Sequence, residues 1–298
     1  MRILVLGATG MLGHKVFQLL QQRYADTLAT IQGSLASAAI SEIDLFNRVN
    51  TIEQVRADDF SALRLLLSSR QPDVVVNCVG IIKQRVDAKA AIPSITLNAL
   101  LPHTLAEICG PWGGRVIHFS TDCVFSGAKG NYREEDFSDA RDLYGQTKFL
   151  GEVSTSNAIT LRTSMIGREL FNFGSLLEWF LRHDRGKVHG YTRAFYSGVT
   201  TNYLAGVVAD IIEKHPHLSG LYQVCGTTVS KFDLLCLIRD AFNLQVEIVP
   251  QADFFCDRSM VGEKFRHATG HQPPPWPDLI RQLASDPTPY ARWRGSTS

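Results

Sequence analysis

Along the first half of the chain, short apolar runs rich in branched residues alternate with segments whose apolar positions recur at helical spacing. "RILVLG" is followed by Leu12, Val16, Leu19 and Leu20 on a helical period, and then by "TLATI". "SALRLLLSSR" precedes "DVVVNCVG", "ITLNALLPHTLAEIC" precedes "RVIHFST", and "YGQTKFLGEVS" precedes "AITLRTS". Uninterrupted apolar strands joined by helices imply a parallel sheet covered on both faces. The pattern therefore predicts an α/β fold, a doubly wound parallel sheet of the Rossmann kind over residues 1–166. After Gly167 the alternation loosens, although "SGVTTNYLAGVVADII" and "GLYQVCG" again read as helix then strand. Residues 196–226 are thus expected to return to the large domain, which leaves 167–195 and 227–298 as a smaller substrate-binding part. Its proline-rich "GHQPPPWPDL" reads as an ordered cap or loop with Trp276 docked on it.

Composition narrows the class. A chain of 298 residues, 45% hydrophobic and with a formal net charge of +1, can bury a sizeable core. No Lys/Arg cluster stands out, so there is no electrostatic case for nucleic acid or an anionic membrane. The apolar run in "MRILVLGATG" ends in glycines, not in a cleavage site, and reads as a strand, not a signal peptide. No apolar run approaches the roughly 20 residues of a membrane span. Cys78, Cys109, Cys123, Cys225, Cys236 and Cys256 form no C-x-x-C pair, which points to a reducing cytoplasm and to cysteines used as buried small hydrophobes. The nine His show no metal-ligand spacing, and no metal is assigned.

Candidate chemistry begins at "GATGMLG", directly after the first strand, with Gly7, Gly10 and Gly13 three residues apart. The first glycine permits a tight turn, the second lets backbone approach a pyrophosphate, and the third allows close helix-to-strand packing. The free N–H groups at the helix start favour the phosphates of a dinucleotide. An acid at the end of the second strand would bind the adenosine ribose and disfavour a 2′-phosphate, and "TLATIQGS" has none. NADP is therefore expected over NAD, with NAD open and with Ser34 or its neighbouring backbone as a phosphate contact. Further along, Tyr144 and Lys148 in "YGQTK" stand one helical turn apart and can converge on one bound molecule.

Four separated segments, "GATGMLG", "VVNCVG", "STDCVFSG" and "YGQTK", resemble those of the extended short-chain dehydrogenases/reductases, in particular the dTDP-4-dehydrorhamnose reductase group of sugar-nucleotide reductases. Weaker echoes, "FYSGVTT" and "GLYQVCG", extend the resemblance, and "DRS" with "QPPPW" is a loose likeness to the tails of such reductases. The resemblance implies a cofactor held by the glycines with Thr9, Met11 and Leu12, by Val79 and Gly80 at a strand end, and by Tyr144 and Lys148. It implies a nucleotide-sugar substrate contacted by Thr121, Asp122, Val124 and Met165, and it leaves a homodimer open. Arg193 can pair with the nucleotide diphosphate, since guanidinium matches phosphate oxygens in two-point geometry.

The chemistry of carbonyl reduction agrees with this assignment. A carbonyl receiving hydride develops alkoxide charge, and it needs a hydroxyl to hold it and an acid to protonate it. Thr121 holds and Tyr144 protonates. An ammonium at Lys148 favours ionisation of a phenol whose ordinary pKa is about 10, and the resemblance also gives Lys148 the nicotinamide ribose.

Related 4,6-dehydratases carry Thr-Asp-Glu where this chain has Thr121, Asp122 and Cys123, so dehydration is disfavoured. 4-Epimerisation stays open, as does a non-catalytic regulatory subunit that holds NADP and docks on a partner enzyme. Two departures bear on ligand contacts. Met165 stands where the family often has an aromatic, and Arg56 in "VRADD" stands where many relatives have Asp beside the adenine.

Overall fold

The computed structural model describes residues 1–82 and 90–295. In chain order the first part comprises β1 (Ile3–Leu6), α1 (Gly13–Arg23), β2 (Thr27–Thr30), β3 (Thr51–Ile52), α2 (Phe60–Arg70), β4 (Val74–Asn77), α3 (Ala91–Ser94), α4 (Leu101–Cys109), β5 (Arg115–Thr121), α5 (Leu143–Leu150) and β6 (Ala158–Thr163). There follow β7 (Met165–Ile166), α6 (Leu176–Leu181), β8 (Lys187–Tyr191), β9 (Ala194–Tyr196), β10 (Val199–Thr200), α7 (Thr201–Lys214) and β11 (Gly220–Gln223). The chain closes with β12 (Val229–Ser230), α8 (Lys231–Ala241), β13 (Glu247–Gln251), β14 (Cys256–Asp257), α9 (Glu263–Thr269), α10 (Trp276–Ala284) and α11 (Tyr290–Trp293).

Seven strands form the central sheet in the order β11-β6-β5-β4-β1-β2-β3, with every pairing parallel. Successive side chains of a strand point to opposite faces, and the two cores follow from that alternation. Ile3 and Val5 pack with Val16 and Phe17 of α1 and Leu204 and Val208 of α7. Leu4 and Leu6 pack with Leu63 and Leu67 of α2 and Leu105 and Ile108 of α4. Both faces are therefore covered, as uninterrupted apolar strands require. The segment after residue 196 contributes α7, which packs on α1, and β11, the sheet's edge strand beside β6. A third core gathers Phe180, Leu234, Ile238, Trp276 and Leu279 in the C-terminal part.

Three local readings are revised. "ITLNALLPHTLAEIC" is not one α-helix, because Ile95–Leu100 form a π turn between α3 and α4. Pro102 has no N–H to give the carbonyl of residue 98, and its ring crowds that carbonyl, so the backbone widens there. Trp276 heads a helix instead of resting on a loop; it is buried, and its Nε1 donates to the Thr227 carbonyl at 2.7 Å. Of the six free cysteines only Cys109 is fully buried, and the other five are half-buried.

The approach of α1 to β1 is so close that a Cβ on Gly13 would collide with the Gly7 carbonyl, whereas one on Gly206 in α7 would meet nothing within 4 Å. In urea unfolding, Gly13→Ala is expected to lose about 2 kcal/mol or more by overpacking. Gly206→Ala should gain about 0.5–1 kcal/mol from helix propensity.

Candidate active site

The glycine turn is tight on one side and open on the other. Gly7 has φ +79°, where a side chain is strained, and a Cβ there would lie 2.8 Å from Val79 Cγ2, so the ends of β1 and β4 meet. Gly10 faces outward, with no neighbour nearer than 3.4 Å to a Cβ placed on it. Among the described residues the N–H groups of Met11 and Leu12, just ahead of α1, donate to no protein acceptor. Leu12 is itself buried, while Thr9 and Met11 are half-buried beside Gly10. An open Gly10 and free N–H groups at a helix start fit a dinucleotide pyrophosphate. Gly80 lies by the π turn, where Asn98 accepts from Ile81 N at 2.9 Å and donates to Thr147 Oγ1 at 3.3 Å.

Behind this turn stands a residue that sequence reasoning passed over. His14 contacts the Gly10 carbonyl through Nδ1 at 2.9 Å and the Tyr290 hydroxyl through Nε2 at 2.8 Å. Beside it the buried Lys15 ammonium pairs with Asp286 at 2.8 Å. The C-terminal segment is thereby fastened to the cofactor turn.

On the adenosine side the structure adds an acid. Glu53, just past β3, accepts from the Ser34 hydroxyl at 2.8 Å and from Leu35 N at 2.6 Å. The Leu35 amide and the Ser34 hydroxyl hold this carboxyl below the usual range, with Arg48 adding to the effect. Ser34 is therefore engaged by a carboxylate that the second strand does not carry. Arg56 makes a two-point pair with Asp58, at 3.2 and 2.7 Å.

At the carboxyl end of β5 the side chains of Thr121 and Tyr144 meet. Thr121 Oγ1 accepts from Cys123 N at 3.1 Å and donates to Asp122 Oδ1 at 3.1 Å. Asp142 caps α5 by accepting from Gly145 N at 3.0 Å, and the hydroxyl of the half-buried Tyr144, two residues along, hydrogen-bonds the Thr121 side chain. Burial pushes the Tyr144 phenol well up, with Cys123 and Asp122 adding to that rise and the Thr121 bond opposing it. Lys148 Nζ donates to the Phe119 carbonyl at 2.5 Å and lies 3.4 Å from His118 Nε2. Burial lowers Lys148 to about 8, against the pull of Glu152. The phenol is thus governed by burial and not by the ammonium, which faces β5.

Other expected contacts fall elsewhere. The Val124 side chain is buried with Phe125, Tyr132 and Met260, so it packs the loop and does not line the site. Met165 packs partly buried on the core at the start of β7. Arg193 is exposed, its guanidinium 5.4 Å from the centre of the Phe255 ring. Two other cations approach Asp122 and Cys123 instead. Arg258 donates to Phe125 O at 2.9 Å and Ser126 O at 3.4 Å and lies 3.7 Å from the Cys123 sulfur. Lys231 Nζ sits 3.8 Å over the ring of the buried Tyr196. Among the described residues neither cation has a carboxylate within ion-pair distance, and the Asp122 carboxylate acts on both. Arg258 lies in the "DRS" segment, the one sequence signal that pointed toward it. No group of three or more His, Cys, Asp or Glu comes together as a metal site among the described residues.

A seven-stranded parallel sheet with a glycine turn after its first strand, and with threonine, tyrosine and lysine at the end of its fifth, defines an extended short-chain dehydrogenase/reductase. The chain belongs to the RmlD substrate binding domain family, whose model matches residues 1–286. It is 28% identical over 260 residues to methionine adenosyltransferase 2 subunit beta of Mus musculus, covering 82% of this chain and 72% of that protein. It is 33% identical over 154 residues to dTDP-4-dehydrorhamnose reductase of Streptomyces griseus, covering 51% of this chain and 43% of the relative. The crystal structure of dTDP-4-dehydrorhamnose reductase from Bacillus anthracis in complex with NADP superposes with a TM-score of 0.74 at 19% identity, covering 95% of this chain and 98% of that one. No described helix is long and apolar enough to cross a membrane.

His14 gives the turn a pH dependence. Burial lowers its pKa from 6.5 to about 4, so the folded protein binds fewer protons than the unfolded chain between those values. The stability from a neutral His14 is complete above the unfolded value and is lost as pH falls toward the folded one. Over that fall wild type should lose about 3 kcal/mol more than His14→Gln in urea unfolding.

Proposed function

We propose that the protein is an NADPH-dependent reductase of a 4-keto group on a nucleotide-activated deoxysugar. The observation that carries this reading is the hydrogen bond between Tyr144 and Thr121 at the carboxyl end of β5, the end at which open parallel sheets bind ligands. Bound NADPH supplies the hydride. Thr121 and Tyr144 then face the developing alkoxide together: the threonine hydroxyl shares its charge, and the phenol, kept protonated by burial, delivers the proton. Asp122, buried beside Thr121, accepts from sugar hydroxyls in this reading. Lys231 and Arg258 are the cations that a nucleotide diphosphate would meet at this rim, in place of Arg193. Cys123, half-buried beside Arg258, stands where the related dehydratases carry the extra carboxyl group used in water elimination, which favours simple reduction over dehydration.

The likeness to methionine adenosyltransferase 2 subunit beta favours a second reading, a regulatory subunit that holds the cofactor without turnover. Tyr144→Phe separates the two, since it preserves ring packing and removes the proton donor. With purified protein, NADPH and a panel of nucleotide 4-keto sugars, wild type should oxidise NADPH and Tyr144→Phe should lose about a hundredfold in kcat. A variant that turns over like wild type would remove Tyr144 from the mechanism, and no oxidation with any sugar would leave the subunit reading.

The same assay tests Glu53. Its carboxylate repels a 2′-phosphate at Ser34, so Glu53→Gln should raise the preference for NADPH over NADH several-fold. An unchanged ratio would place the adenosine ribose away from Glu53.

A further inference from the structure

Two buried polar side chains behind the reacting groups have no part in hydride or proton delivery to substrate. Asn77 closes β4 and His118 lies within β5; both are fully buried, and they are direct register partners across the sheet. Val79 N–H can only donate, and it reaches Asn77 Oδ1 at 3.1 Å. The amide therefore turns Nδ2 toward His118 Nδ1, 3.1 Å away. That ring nitrogen must accept, so the single proton of the neutral imidazole sits on Nε2, which points at Lys148 Nζ across 3.4 Å. An ammonium has three donors and no lone pair, so it would meet Nε2–H donor to donor. The amine accepts from Nε2–H and still donates to the Phe119 carbonyl.

We propose that Asn77 and His118 form a positioning relay that fixes the ring proton on Nε2, favours the neutral amine of Lys148, and so makes Lys148 a proton-exchanging group near neutral pH. The groups around it are few. Along α5 stand Tyr144, one turn before, and Glu152, one turn after, whose carboxylate favours the ammonium but is shared with Arg162 of β6 at 2.6 Å. From the π turn comes the uncharged Asn98, and from α4 His103, which acts on His118 and not on Lys148. Burial holds His118 neutral and brings Lys148 to about 8, in the direction the relay requires. The consequence for turnover rests on the reductase reading, while the relay itself does not.

Side-chain nitrogen NMR of the full-length protein tests it without substrate, with His118 and Lys148 assigned through His118→Gln and Lys148→Arg. In wild type the His118 ring should carry its proton on Nε2 from pH ~6 to ~9, and Lys148 should titrate between them. Asn77→Asp keeps the acceptor for Val79 N–H but offers Nδ1 a carboxylate. The ring proton should then move to Nδ1, Nε2 should accept from the ammonium, and the Lys148 midpoint should rise by about one pH unit or more. A wild-type ring protonated on Nδ1, or an unmoved midpoint in Asn77→Asp, overturns the relay; the wild-type spectrum decides even where the variant fails to fold. If the tautomer and midpoint shift as expected while no nucleotide 4-keto sugar is reduced, the relay stands and the reductase reading falls. If sugars are reduced, the midpoint shift should reappear in the pH profile of kcat.

Discussion

Helix α5 is seated on the sheet by charge and hydrogen bonds, not by an apolar stripe. Its sheet-facing Thr147 and Lys148 are buried, and Glu152, just past the helix end, accepts from Ser120 Oγ at 2.6 Å and from Arg162 Nε at 2.8 Å. Taking the Glu152 and Arg162 charges out of water costs several kcal/mol each, which only a well-aligned, fully hydrogen-bonded pair repays, so displaced seatings are penalised in a way that sliding leucines would not be. Gly145 and Gly151 let the helix come down: a Cβ on the first would collide with the Cys123 carbonyl, and on the second with the Asn98 carbonyl of the π turn. Tyr144 belongs to this rigidly placed helix, which is how a phenol on one element meets a threonine on another. Arg162 carries the constraint outward, its guanidinium 4.9 Å from the centre of the Phe125 ring, which stacks on Tyr132 at 4.0 Å.

What could be read from the sequence was local. The glycines, the strand runs and the Tyr144–Lys148 spacing are each contained within one element and its turn, so their geometry follows from helical and strand periods. Residues brought from afar left no such mark. Glu53 reaches Ser34 from 19 positions away, and Arg258 reaches Cys123 from 135. An inspection of the second strand for an acid could not find one delivered by the third. The misplaced side chains have equally physical causes. Val124 follows a residue aimed at the site, but the short helical turn over Asp122–Val124 swings it into the Phe125 cluster. Arg193 just precedes β9 and faces solvent, whereas Arg258 just follows β14, the strand paired with β9, and turns inward; nothing local to either arginine distinguishes them, and only the loose "DRS" likeness marked Arg258. Pro102 was visible, yet its effect is expressed at Asn98, where the widened π turn lets one amide brace both Ile81 and Thr147.

Besides packing α9 on β11 and α10 on α7, the C-terminal part meets the sheet domain at two places beside the candidate site. Residues 257–261 lie along the loop after β5, with Asp257 N donating to Gly127 O at 2.7 Å and Tyr132 N donating to Ser259 O at 2.9 Å. Residues 286–294 lie along α1, through Asp286 on Lys15 and Tyr290 on His14. The same tail is anchored to the C-terminal part, because Arg294 donates to Glu178 Oε1 at 2.6 Å and Arg168 donates to it at 2.9 Å. Motion of the C-terminal part would therefore be felt on one side at the loop carrying Thr121, Asp122 and Cys123, and on the other at the carbonyl of Gly10. A molecule bridging the glycine turn and the β5 end, as a cofactor beside its substrate must, would lie across both junctions. This arrangement suits an enzyme that must hold two ligands in register, and it would equally let a purely cofactor-binding relative transmit occupancy of its turn to a surface formed by its C-terminal part.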